Sequence, residues 1–269
     1  MGKTLLSFGH GYSAQELERH LRPLGWQVIG TSREKDGSLQ WPGTDMRPYL
    51  DKASHLLISI APDAQGDPVL RALKGDILAR QAQFEWVGYL STIGVYGDHQ
   101  GGWLDETTQI NPLSKRSKER AVAEAEWMAL DLPVHIFRLA GIYGPGRGPF
   151  AKIRNGTARR IIKKDQVFSR IHVKDIARVL MASIAKPNPG SIYNVCDGNA
   201  APPEDVLAFA AQLLGMPVPE AEDFDTAEMT PMARSFYGES KRVHNTKIKD
   251  ELGVELLYPD YQSGLRSLL

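Results

Sequence analysis

The sequence predicts an α/β fold, a doubly wound parallel sheet with a smaller C-terminal lobe. Three observations carry this expectation. Short apolar runs alternate with helical stretches along the first 140 residues or so. The runs are continuously apolar rather than alternating, as in strands buried on both faces. A glycine-rich turn joins the first run to the first helical stretch.

The runs come in order. Thr4–Phe8 is the first, and the Gly-rich turn follows it. Ala14–Leu24 places Leu17, Leu21 and Leu24 at helical spacing. Trp26–Thr31, His55–Ala61, Phe84–Thr92 and Val134–Ala140 are the next four runs, with helical stretches at about 68–81 and 112–130 between them. Gly144-Pro145-Gly146-Arg147-Gly148-Pro149 then breaks the pattern, because three Gly and two Pro in six residues continue neither strand nor helix. Beyond it lie a basic stretch around Arg159-Arg160 and Lys163-Lys164, read as a solvated hairpin, and a helix from Val173 to Lys186. A strand at Ser191–Cys196 and a helix opening near Pro202-Pro203-Glu204-Asp205 complete the pattern. The expected division is 1–145 plus 171–200 for the nucleotide-binding domain and 146–170 plus 201–269 for the lobe.

Composition narrows the function classes. The 269 residues are 42% hydrophobic, with 32 Lys+Arg balancing 32 Asp+Glu. Disorder is excluded as the main state, and a whole-molecule basic field for nucleic acid is absent. One cysteine excludes an intrachain disulfide framework and a thiolate metal cage. No apolar run approaches the roughly 20 residues of a membrane helix, and Gly2-Lys3 leads into Thr4–Phe8 without a signal-peptide layout. A cytoplasmic monomer or homodimer without membrane or nucleic-acid partners is expected. His-rich metal spacings are also missing.

Gly9-His10-Gly11-Tyr12-Ser13-Ala14 reads G-x-G-x-x-A between a strand and a helix. Gly9 permits a tight turn, Gly11 admits a pyrophosphate to the backbone, and Ala14 lets the helix pack on the strand. The second strand ends at Thr31-Ser32-Arg33. A guanidinium beside small hydroxyls suits a 2′-phosphate, so NADP is expected, with NAD as the alternative through Glu34. His10 is read as the variable residue of the loop.

The glycine motif combines with Leu90-Ser91-Thr92-Ile93-Gly94-Val95-Tyr96-Gly97, Asn111-Pro112 and Phe137-Arg138 through Tyr143-Gly144-Pro145-Gly146-Arg147. Arg170-Ile171-His172 through Asp175, and Tyr193-Asn194-Val195, extend the match over nearly the whole chain. In these segments the sequence resembles the extended short-chain dehydrogenase/reductase superfamily, which contains nucleotide-sugar epimerases and dehydratases. The resemblance implies a Rossmann domain with strand order beginning 3-2-1-4-5-6.

The resemblance also exposes a departure. Family members that oxidise or reduce a hydroxyl carry Tyr-x-x-x-Lys on the helix after the Ser/Thr strand. Counting back from Glu124 puts these positions at Arg116 and Arg120, whereas counting from Pro112 gives Ser114 and Lys118. Residues 112–130 contain no tyrosine in either register. Arginine has a pKa above ~12 and cannot act as a base near neutrality. Arg116 is therefore expected to hold an anion, or to be solvated helix surface, and Arg120 the ribose or a phosphate. Thr92 matches the position that bonds the substrate oxygen, with capping of the local turn as the alternative. Tyr96 is the tyrosine at the cofactor end of that strand; the resemblance implies that it packs around the site, and the alternative is that it replaces the missing acid, its pKa lowered by Arg116 or Arg120.

The candidate catalytic set is Thr92, Tyr96, Arg116 and Arg120. The candidate cofactor set is Gly9, Gly11, Tyr12, Ala14, Arg33, Ala61, Ser91, Arg120 and Ala140. The resemblance implies an oxidoreductase or nucleotide-sugar epimerase-like protein acting on a small polar, anionic or sugar-nucleotide substrate. The missing pair leaves a non-catalytic NADP(H)-binding module or sensor as the rival reading.

Overall fold

The computed structural model describes residues 2–34 and 37–269. Its first part runs β1 (Thr4–Phe8), α1 (Tyr12–Leu21), β2 (Gln27–Ser32), β3 (Leu39–Gln40), α2 (Arg47–Leu50), β4 (His55–Ile58), α3 (Pro68–Leu78), β5 (Trp86–Thr92), β6 (Trp103–Leu104), α4 (Lys115–Met128) and β7 (Val134–Leu139). The remainder runs β8 (Gly141–Tyr143), α5 (Phe150–Arg154), β9 (Arg160–Ile162), β10 (Arg170–His172), α6 (Val173–Ala185), β11 (Ile192–Val195), α7 (Pro203–Leu213), β12 (Ala221–Asp223), α8 (Pro231–Phe236), β13 (Arg242–Val243), α9 (Thr246–Asp250) and α10 (Tyr261–Arg266).

Seven strands form one sheet in the order β11-β7-β5-β4-β1-β2-β3, and every neighbouring pair is parallel. Side chains alternate across it, as the period of a strand requires. Leu5, Leu57 and Phe137 pack with Ala14, Leu17 and Leu21 of α1 and with Ile176, Val179 and Leu180 of α6. Leu6, Leu56, Val87 and Ile136 pack with Val69 and Leu73 of α3 and with Ala123 and Trp127 of α4. Both faces are covered, which is why the runs read as continuously apolar.

A third apolar cluster joins Tyr143, Phe150 and Ile153 to Val206, Ala210, Tyr261 and Leu265. It joins β8 and α5 to α7 and α10, so Tyr143, expected in the nucleotide-binding part, packs with residues of the 146–170 and 201–269 segments. β11 returns to the main sheet, pairing Tyr193 with Phe137. No helix among the described residues is long and apolar enough to cross a membrane.

Two local expectations are corrected. Leu24 is not part of the helical stripe: α1 ends at Leu21, a 3-10 turn spans Arg22–Leu24, and Leu24 is exposed. Pro23 has no N–H for the helix ladder and its ring clashes with the preceding turn. The basic stretch is not a hairpin, because β9 pairs in parallel with β12, far along the chain, and Arg159 forms an ion pair with Glu222.

Candidate dinucleotide and substrate cleft

A cleft of about 870 Å³ opens at the carboxyl ends of β1, β4, β5 and β7. β1 has β4 on one side and β2 on the other, so the strand order reverses there. Such a switch point leaves a crevice between the loops leaving the strands.

Gly9 turns the chain at φ +81°, a left-handed conformation that only glycine adopts without cost. A Cβ there would lie 2.8 Å from Ile60 Cγ1 and 3.0 Å from Ile60 N. The turn is tied to the end of β2, since Gly9 N–H donates to Thr31 Oγ1 at 3.1 Å and His10 N–H to Thr31 O at 2.8 Å. Gly11 is the N-cap of α1, and no side chain caps the helix. The first-turn N–H groups and their partial positive charge remain available to an anion in the cleft.

His10 turns away from the cleft. Its ring sits on Gly30, where a Cβ would approach it to 2.3 Å, and Nε2 bonds Glu18 at 2.7 Å. Tyr12 faces the cleft, and its hydroxyl donates to Pro145 O at 2.9 Å. Arg147 lies over the Tyr12 ring, 5.8 Å from its centroid. α1 and the 144–147 turn are thus joined across the cleft's edge.

Gly9, Gly11, Tyr12, Ala14, Ala61, Ser91, Arg120 and Ala140 all lie on the cleft wall, as do Thr92 and Arg116. Arg33 follows the end of β2, is exposed and is not on that wall. Thr92 Oγ1 caps the following turn by accepting from Gly94 N at 3.1 Å. The Arg120 guanidinium donates to Leu90 O and lies over the Tyr89 ring. Arg116 is exposed and lies over Phe236, 5.6 Å from its centroid.

Tyr96 requires a correction. It is fully buried, does not line the cleft, and donates its hydroxyl to Asn194 Oδ1 at 2.7 Å. Burial raises its pKa more than the neighbouring cation lowers it, and that cation is Arg138 rather than Arg116 or Arg120. The ring packs under Arg138 at 4.8 Å. Arg138 forms a buried two-point pair with Glu124, with Nη2 to Oε2 at 2.7 Å, and Glu124 also accepts from Ser91 Oγ. Ser91, on the wall, and Tyr96, behind it, thus belong to one buried network that fixes β5 against α4 and β7.

Sequence reasoning missed the lobe side. Val167, Phe168, Ser169 and Arg170 line the cleft, as do Ser235, Phe236, Glu239 and Lys241. Arg170 donates to Phe168 O at 2.8 Å and to Ala201 O at 3.0 Å, and burial is the largest influence lowering its pKa. Nearby Asp197 is pushed up to about 7 by burial. These lobe segments carry no periodicity that marks them. Among the described residues of the wall, five cations (Arg116, Arg120, Arg147, Arg170, Lys241) face one carboxylate, Glu239. The chain as a whole has zero net charge, so positive charge is concentrated here.

No family model matches the chain. A functionally unknown conserved protein from Silicibacter pomeroyi DSS superposes with a TM-score of 0.96 at 60% identity, covering 99% of this chain and 98% of that one. This chain belongs to that protein's family. Protein YeeZ of Escherichia coli K12 is 29% identical over 285 aligned positions, covering 96% of this chain and 97% of its own. Human epimerase family protein SDR39U1, solved with NADPH, shares the fold at a TM-score of 0.77 and 16% identity, covering 98% of both chains. Other solved structures of dehydratase and epimerase type share this Rossmann-like α/β fold.

Proposed function

We propose that this protein binds a nicotinamide dinucleotide, NADP in preference to NAD, and acts as an oxidoreductase or epimerase-like enzyme on a small anionic substrate of the polar or sugar-nucleotide kind. The observation that carries this is the cleft itself. It starts at an uncapped helix N-terminus, and its described lining carries five cations against one anion. The residues fit the cofactor. Gly11 leaves the approach to α1 clear, with no protein atom nearer than 3.9 Å to the Cβ it lacks. In this reading Gly9, Gly11, Tyr12 and Ala14 hold the pyrophosphate, and Arg33 takes the 2′-phosphate. Ala61, Ser91, Arg120 and Ala140 flank the nicotinamide half. The cofactor would supply hydride transfer; Thr92 would orient the substrate oxygen and Arg116 would hold its anionic group.

The human neighbour's NADPH and the dehydratase and epimerase type of other neighbours support the reading. A second reading, a binding module without turnover, is favoured by one feature: α4 carries no tyrosine to face the cleft. Fluorescence titration with NADPH and NADH, followed by an absorbance assay over a panel of carbonyl, alcohol and sugar-nucleotide substrates, tests both. Absence of binding to either nucleotide refutes the proposal, while binding without turnover selects the module.

A further inference from the structure

The geometry points to Lys241, held by Glu239, as the group that gives a proton to the substrate oxygen, the role for which α4 offers no tyrosine. The inference rests on the reading of the cleft as a nicotinamide-dependent site.

Lys241 lines the cleft yet is 6% exposed. Lysine is almost never this buried unless paired. Its Nζ donates to Gly97 O at 2.6 Å and to Glu239 Oε2. An ammonium has three N–H donors, so one remains. Gly97 ends the turn that Thr92 begins: Thr92 Oγ1 accepts from Gly94 N, and Gly97 N donates to Gly94 O. Thr92 and Lys241 are thus attached to the two ends of one short turn and face the same cleft. The hydroxyl of Ser169, buried and without a partner among the described residues, also belongs to a lining residue of the cleft.

Elimination leads to the same residue. The wall's arginines cannot release a proton near neutrality. The hydroxyls of Tyr12 and Tyr143 donate to Pro145 O and Asp260 O, and burial raises both. Serine and threonine hydroxyls do not ionise in this range. Among the described residues of the wall this leaves Lys241 and Glu239. Asp98 is not on the wall and accepts from the amide of Ser240.

The step balances. The carbonyl carbon receives a hydride, with its electron pair, from a reduced nicotinamide dinucleotide. The C=O π pair moves to oxygen, which forms an O–H bond with a proton from Nζ as that N–H bond breaks. Lys241 is left as a neutral amine bonded to Gly97 O and is recharged from water.

The test uses the whole chain. In the first arm, lysines are methylated with formaldehyde and borohydride and located by peptide mass spectrometry, with and without saturating NADP. Lys241 is expected to react in the free protein and to slow at least fivefold with nucleotide, whereas exposed Lys3 does not change. No labelling of Lys241 in either state, or labelling that nucleotide leaves unchanged, overturns the inference, because a proton donor must be reachable from the free cleft and lie beside the bound nucleotide. In the second arm, Lys241→Arg keeps the cation for Gly97 O and Glu239 but cannot give up a proton. NADPH affinity is expected within twofold of the parent and kcat on any panel substrate down by about 10²–10⁴-fold, the usual contribution of general acid catalysis. Full turnover in Lys241→Arg overturns the inference while leaving the cofactor reading intact; a parent that binds neither NADPH nor NADH removes both.

Discussion

Replacing Gly11 by valine separates a binding loop from a mere connector. The backbone there has φ −94° and ψ −158°, an extended conformation open to any residue. A Cβ would meet only Gly9 O, at 3.9 Å. The protein therefore accommodates the new side chain. A poorer N-cap costs up to about 1 kcal/mol, and reduced freedom of the unfolded chain returns about 0.4–1 kcal/mol. Net stability should change by less than about 1 kcal/mol, which for a chain of this size is a Tm shift of roughly 2–4 °C. The ligand faces a different outcome, because the branched side chain fills the approach to the helix amides. Losing one or two charge-assisted hydrogen bonds at about 1.5–3 kcal/mol each weakens NADPH binding at least tenfold, with about 1.4 kcal/mol per factor of ten. Gly9→Ala is the contrasting variant: at φ +81° and 2.8 Å from Ile60 it is expected to lower Tm directly. Fluorescence titration and thermal melts of both proteins read the result. A folded Gly11→Val protein with parental NADPH affinity would refute the argument.

Other outcomes follow from the same geometry. Arg33→Ala should weaken NADPH more than NADH; equal losses by titration contradict the assignment of the 2′-phosphate to this exposed residue. Glu124→Ala leaves Arg138 buried without its counter-charge, and breaking such a pair costs about 3–5 kcal/mol; a denaturant midpoint close to the parent's would show that the network does not hold β5, α4 and β7 together. Asp197 has its pKa raised by burial to about 7 from 3.8, so its contribution to stability is full below about pH 4 and is lost as pH rises through 7. Asp197→Asn should therefore gain on the parent between pH 4 and pH 8 by on the order of 1–4 kcal/mol, at about 1.4 kcal/mol per pKa unit. His55, His135 and His172, lowered to about 4 by burial, titrate in both proteins and drop out of that difference. A pH-independent difference in thermal stability excludes the mechanism.

Local chemistry made the sheet and the glycine turn readable from the chain alone. The run Thr4–Phe8, the spacing Gly9-x-Gly11 and the stripe Ala14, Leu17, Leu21 each act over a few residues, so their consequence follows from neighbours in sequence. The absence of tyrosine from α4 is of the same kind. Tyr96 shows the limit. Its place after the Ser/Thr strand is visible in sequence, but its side chain is aimed by Arg138 and Asn194, which reach it only because β5, β7 and β11 pair side by side. Lys241 shows the limit more strongly. Nothing within its own segment distinguishes it from a surface lysine. It becomes a buried cation on the cleft wall because β13 pairs with β6 and brings it to Gly97, 144 positions away. Apolar periodicity and glycine spacing are written along the chain. The direction, burial and partner of a polar side chain are set by contacts between distant segments, and those contacts exist only once the sheet and lobe have closed on each other.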